Sequence, residues 1–309
     1  RAVAGLSAAG SLVESLEQRL PLLRNMDDAR GGGSVRALAD AELRAVTALL
    51  KQGSCGTRDS RRLFSVAAEL GRIAGWAGFD AGYHAAAERY FTVGLRAAHA
   101  AGDRLAGANL LKCMTLQLAE CGRPGEALAL AAAARESAAG GPARVRAIIT
   151  VRHARAHAVV GDRAECERLL IEAGTLMEQV GDDRAGSEPC PYWAGYFDTA
   201  EYSAQVAACY LLLRRHGTSD RWLEQALSLQ PASRPRDATT YLMWRAEAAV
   251  QLGEVDRACA HLEQALPAVA GSTSARNRAR LTSVHQLLRP HRATPAVKEL
   301  HEQVRPLIA

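Results

Sequence analysis

The chain has 309 residues, 48% of them hydrophobic, and a net charge of +5 carried almost wholly by arginine, the only lysines being Lys51, Lys112 and Lys298. Acidic residues nearly balance the arginines, which is not the composition of a nucleic-acid-binding protein, and no apolar run nears the roughly 20 residues that span a bilayer. Seven cysteines include no CxxC pair, the usage of a cytoplasmic protein with reduced thiols rather than of a disulfide framework or a zinc site.

Alanine, leucine, glutamate and arginine favour helix, and no alternating β-branched run suggests a strand. The predicted class is all-α. Residues 5–24 read as one helix. The stretch MDDARGGGS, Met26–Ser34, reads as a loop, with Ser34 as N-cap of a helix over Val35–Lys51. A second loop, Gly53–Thr57, completes a connector region over 1–57.

From 58 to 274 the sequence repeats. GYHAAAERYFTVG places Ala87, Phe91 and Gly94 in the order small, large, small, and the same register gives Ala127, Ala131 and Ala134, then Cys166, Leu170 and Ala173, then Ser219, Leu223 and Ala226, then Ala258, Leu262 and Ala265. Successive units are 40, 39, 53 and 39 residues apart. The long interval holds the turn-rich GDDRAGSEPCPY, Gly181–Tyr192. A helical stretch of about 15 residues precedes each unit, and in four of the five a Gly or Arg stands at the turn between the two helices. This is the tetratricopeptide (TPR) pattern of helix, turn, helix: a superhelical array of antiparallel helix pairs. Gly75, Thr115, Ala154, Ala207 and Ala246 occupy one position of the first helices, and all are small. Gly71, Gly75, Gly78 and Gly82 crowd the first of these helices, although glycine costs a helix interior about 1 kcal/mol against alanine. The expected compensation is close approach of a neighbouring helix. From 275 to 309, Ala275–Leu288 and Pro295–Leu307 read as a closing pair whose polar outer face caps the stack.

In such an array the first helix of each pair lines the concave face. The register then points Glu69, Arg72, Trp76, Phe79 and Asp80 inward, followed by Asn109, Lys112, Leu116 and Glu120, by Arg155, by Glu201, and by Thr240, Met243, Glu247 and Gln251. The Asn109 amide suits a peptide group. Arg72, Lys112 and Arg155 suit a carboxylate. Trp76 and Phe79 offer flat apolar anchors. Each has a plainer reading as well: Trp76 as helix packing, Arg72 and Asp80 as a mutual pair, Asn109 as a solvated residue. Elsewhere, His153 and His157 share a helix face but lack a third metal ligand and the glutamate of HExxH, so packing is expected. GGGS lacks the rest of a phosphate loop, Cys190 has no visible partner thiol, and Arg276 and Arg280 read as a solvated cap. No catalytic residue, metal or cofactor is expected.

Several segments carry a family resemblance: RLFSVAAELGRIAGWAGFDAGYHAAAERYFTVGLRAAHAAGD (Arg62–Asp103), MDDARGGG, VRHARAHAVVGD (Val151–Asp162), YWAGYFDTAE (Tyr192–Glu201) and RARLTSVHQLLRPHRATPAVKEL (Arg278–Leu300). In this order they resemble the TPR region of actinobacterial, Streptomyces-type helix-turn-helix regulators of the xenobiotic-response-element family. The architecture is more distantly similar to the Rap, Npr and PlcR type peptide sensors. The resemblance implies a regulatory domain that binds a peptide, a small-molecule effector or a protein partner in its groove, with homodimer formation a further option. It also implies DNA contact only through an N-terminal helix-turn-helix domain, absent from these residues, which open on Arg1 rather than methionine. The alternative is a protein–protein scaffold without a small effector.

Overall fold

The computed structural model describes residues 2–53, 56–180, 190–231 and 234–308. Among them no strand occurs, and the α-helices pack in consecutive antiparallel pairs. The first pair is α1 (Ala2–Arg30) and α2 (Gly32–Gln52). Five pairs follow: α3 (Thr57–Asp80) with α4 (His84–Ala101), α5 (Arg104–Glu120) with α6 (Pro124–Ala138), α7 (Ala143–Val159) with α8 (Arg163–Glu178), α9 (Thr199–Leu212) with α10 (His216–Leu229), and α11 (Pro235–Gln251) with α12 (Val255–Ala270). The last pair is α13 (Ala275–Leu287) and α14 (Pro295–Ile308), within a residue of the closing pair expected from the sequence.

The repeat register explains this packing. Residues at i, i+4 and i+7 share one helix face. Every member of the small–large–small triplets on α4, α6, α8, α10 and α12 is buried, from Ala87, Phe91 and Gly94 through to Ala258, Leu262 and Ala265. Their counterparts Gly75, Thr115, Ala154, Ala207 and Ala246 on the first helices are buried too. The glycines of α3 divide by role. A Cβ on Gly71 would lie 2.7 Å from Gly94 Cα, and one on Gly75 would lie 2.4 Å from the Phe91 ring, so α3 and α4 meet backbone to backbone and ring to backbone. A Cβ on Gly78 would sit 3.5 Å from Ala87, an ordinary contact. Gly82 is a turn residue with φ of 83°, and Arg214 holds the equivalent place between α9 and α10 at φ of 56°.

The expected loop over Met26–Ser34 is instead almost entirely helical. Only Gly31, at φ of 85°, separates α1 from α2. Ser34 lies inside the first turn of α2 and does not cap it. The Gly32 N–H instead donates to the Asp80 carboxylate at 3.2 Å, so an anion at the end of α3 serves the N-terminus of α2. Gly32 must be glycine for this, because a Cβ there would lie 2.2 Å from the Ala77 carbonyl oxygen.

The array also curls far enough to touch itself. Asp80 accepts from Ser274 Oγ at 2.8 Å and pairs with Arg236 at 2.5 Å. Arg236 also donates to the Asp27 carbonyl at 3.0 Å, and Arg276 on α13 makes two bonds to Glu120 on α5. Residues from the C-terminal pairs thus meet the N-terminal helices across the hollow of the curve.

Candidate functional site

The hollow is a cavity of about 600 Å³. Its wall comes from α1, α3, α5, α7, α9, α11 and α13, with Arg234 just ahead of α11 and the turn around Tyr192–Ala194 completing it. No residue of the even-numbered helices lines it among the described residues. The first helices therefore face inward, and the second helices form the outer layer.

Seven residues expected in the groove line this cavity: Arg72, Trp76, Asp80, Asn109, Lys112, Arg155 and Glu201. Four do not. Phe79 is fully buried, its ring set edge-on to Trp76 at 5.7 Å, because its side of α3 faces the core. Glu69 stands behind the wall as the partner of Arg24 and Arg72, at 3.0 and 2.8 Å. Glu120 does the same for Arg276 and Arg155, at 2.9 and 3.6 Å. Glu247 is half-buried near Arg280, and burial raises its pKa against that arginine's pull. Met243 is core, whereas Leu116 and Thr240 line the cavity. Of the plainer readings, the Arg72–Asp80 pair does not form, and Asn109 is 2% exposed rather than solvated.

The electrostatics follow from this pairing. Burial would raise the pKa of Glu120, but Arg276, Arg155 and Arg280 outweigh it and bring it to about 2. Burial likewise opposes ionisation of Glu69, and Arg72 and Arg24 overcome it. Arg155 is lowered to about 10, mainly by burial, with Glu120 offsetting and Arg152 and Arg280 adding to the fall.

Several lining residues lie outside the sequence-derived set. Arg152 and Gln205 stand three and four residues from Arg155 and Glu201 on the same helix faces, a spacing that marks them as neighbours. They form a chain of contacts. Arg152 and Arg155 both reach Gln205 Oε1, at 3.4 and 3.3 Å; the Gln205 amide donates to Glu201 at 2.8 Å; and Glu201 also accepts from the Tyr241 hydroxyl. Tyr192, Trp193 and Tyr196 come from the long interval in the repeat. Arg24 stacks on the Tyr192 ring at 3.2 Å, and Lys112 lies 5.6 Å from the Trp193 and Tyr196 rings. Trp244 is buried between Arg155 and Arg280, at 5.5 and 5.1 Å.

His153 and His157 pack ring to ring at 4.9 Å, and burial first, then His157, lowers the His153 pKa to about 4. Among the described residues no group of three His, Cys, Asp or Glu side chains is placed to hold a metal, and no helix is long and apolar enough to cross a membrane. Compared with protein families and with curated proteins, the sequence finds no match in either.

Proposed function

We propose that this chain is the effector-binding, regulatory part of a transcriptional regulator of the helix-turn-helix type it resembles, built of TPR repeats and working in the cytoplasm. The observation that carries this reading is the cavity. It is enclosed by the first helices of every pair and furnished with charged and aromatic side chains rather than filled with core residues. Pockets of some 300–1,000 Å³ with a few converging polar groups are the usual form of small-molecule sites. In this reading DNA contact belongs to a helix-turn-helix domain outside these 309 residues. The effector acts by biasing the contacts that join the two ends of the array, which share residues with the wall.

The test is a thermal-shift screen against defined peptides and metabolites. A ligand at a hundred times its dissociation constant adds about 2.7 kcal/mol of stability, a rise of several degrees. The rise is expected to vanish in Asn109→Leu, which fills part of the cavity. If every stabilising ligand acts equally on that variant, or only a protein partner stabilises the chain, the effector reading fails and a scaffold takes its place.

A further inference from the structure

Three cations on the cavity wall have no carboxylate within ion-pair distance among the described residues. Every other basic side chain there is paired with a carboxylate, whereas Lys112, Arg152 and Arg280 have none among the described residues. Lys112 and Arg152 are each only 7% exposed. Among the described residues Arg152 reaches one acceptor, Gln205 Oε1, at the long distance of 3.4 Å, and its buried Nε has no partner. Lys112 has the Tyr196 hydroxyl at 3.5 Å and two aromatic faces, while Arg280 lies over the Trp244 ring at 5.1 Å. Of the carboxylates nearby, Glu201 is held by Gln205 and Tyr241, and Glu120, which with Glu247 acts on Arg280 only from beyond ion-pair distance, is taken by Arg276 and Arg155. The Asn109 Oδ1 is also buried without a partner among the described residues.

Buried charge without a counter-charge is costly, by several kcal/mol per ion even after relaxation. Interiors keep such groups where something else neutralises them. We infer that the cavity takes a small organic anion, its carboxylate or phosphate set among Lys112, Arg152 and Arg280 and its flat apolar part against Trp76 and Trp193. Guanidinium groups bind both oxyanions through paired N–H bonds, and the two tryptophans line the same space. Burial lowers the pKa of Arg280 and Arg276 adds to the fall, which Glu120 and Glu247 offset only in part. The cavity's size and the contacts across it, Arg236 to Asp80 and Arg276 to Glu120, favour a compact molecule over an extended peptide. This assignment rests on the effector reading and gives the effector its chemical class.

Isothermal titration with naphthoate, naphthyl phosphate and the neutral naphthalenemethanol tests it on the wild-type chain, Arg152→Gln and Arg280→Gln. At least one anion is expected to bind wild type about tenfold or more tighter than the alcohol, and the better of the two identifies the head group. Each substitution is expected to weaken that anion by about ten- to a hundredfold, the range for a hydrogen bond to a charged group, and to leave the alcohol unchanged. Thermal melts without ligand separate this from a structural role: Arg152→Gln removes an unpaired charge and is expected to hold or raise the melting temperature. A lower melting temperature with unchanged anion affinity overturns the assignment. An alcohol that binds as tightly as both anions also overturns it while leaving a cavity effector standing, and absence of binding by all three probes counts against both.

Discussion

Asp80→Ala is the sharpest test of the closed array. Asp80 is 1% exposed and ties together three segments distant in sequence: the Gly32 N–H at the start of α2, the Ser274 hydroxyl ahead of α13, and Arg236 on α11. Removing it deletes two hydrogen bonds to a charged acceptor and an ion pair. Breaking a fully buried pair costs about 3–5 kcal/mol, chiefly for the charge left behind. The Arg236 side chain is 21% exposed and keeps its bond to the Asp27 carbonyl, which places the expected loss toward the low end, at about 3 kcal/mol. For a chain of this size that corresponds to a fall of roughly 5 °C in melting temperature. Hydrogen exchange is expected to rise at Gly31–Ser34 and Ser272–Asn277 together, since one side chain holds both. Asp80→Asn keeps an acceptor but loses the charge and is expected to fall between the two. A melting temperature within about 2 °C of wild type, with exchange unchanged at both segments, would refute the closure as a stabilising feature.

Gly71→Ala puts a methyl group 2.7 Å from Gly94 Cα, where only backbone can yield, and is expected to cost about 2–3 kcal/mol by chemical denaturation; Gly78→Ala, whose methyl group would meet Ala87 at an ordinary 3.5 Å, is expected to be neutral or to gain up to about 1 kcal/mol of helix propensity. Arg214→Gly relieves a left-handed residue at φ of 56° and is expected to add roughly 1 kcal/mol, read as a higher denaturation midpoint. Glu120 has a folded pKa of about 2 against 4.5 for the free group, so its contribution of about 3 kcal/mol is complete above pH 4.5 and is lost as pH falls toward 2. Urea midpoints at pH 6 and pH 3 are expected to differ less in Glu120→Gln than in wild type.

The helix pairs are legible in the sequence because packing leaves a periodic trace. A second helix comes close to a first where both present small residues in register, so Ala127, Ala131 and Ala134 mark the buried face of α6. Gly71 and Gly75 mark the tightest crossing for the same reason. The failure at Met26–Ser34 is equally physical. Three glycines in a row suggest a flexible turn when local propensity is the only guide. Here they permit contact with Ala77, and the anion that serves the new helix comes from Asp80, 48 positions away. No local pattern reports a cap supplied by another helix.

The cavity wall divides along the same line. Residues placed by a single helix's periodicity, such as Trp76, Asn109 and Lys112, follow from the register, and Arg152 and Gln205 were readable by the same rule from Arg155 and Glu201. Arg236 follows likewise from Thr240, four residues on, but Arg276 and Arg280 could not be read that way. They reach the wall because the array bends back on itself, and curvature is a sum of small rotations between repeats that no single spacing encodes. Tyr192, Trp193 and Tyr196 stand in the one interval that breaks the repeat, where the sequence shows an insertion but not the side on which it folds. Charge partners depend on the same missing information. Arg72 and Arg155 look free in the sequence and are taken by Glu69 and Glu120, while Arg280, which reads as a solvated cap residue, faces the cavity with no carboxylate in ion-pair reach among the described residues. What the linear pattern cannot supply is which charges the closure of the array leaves over, and those are the charges on which the proposed anion recognition depends.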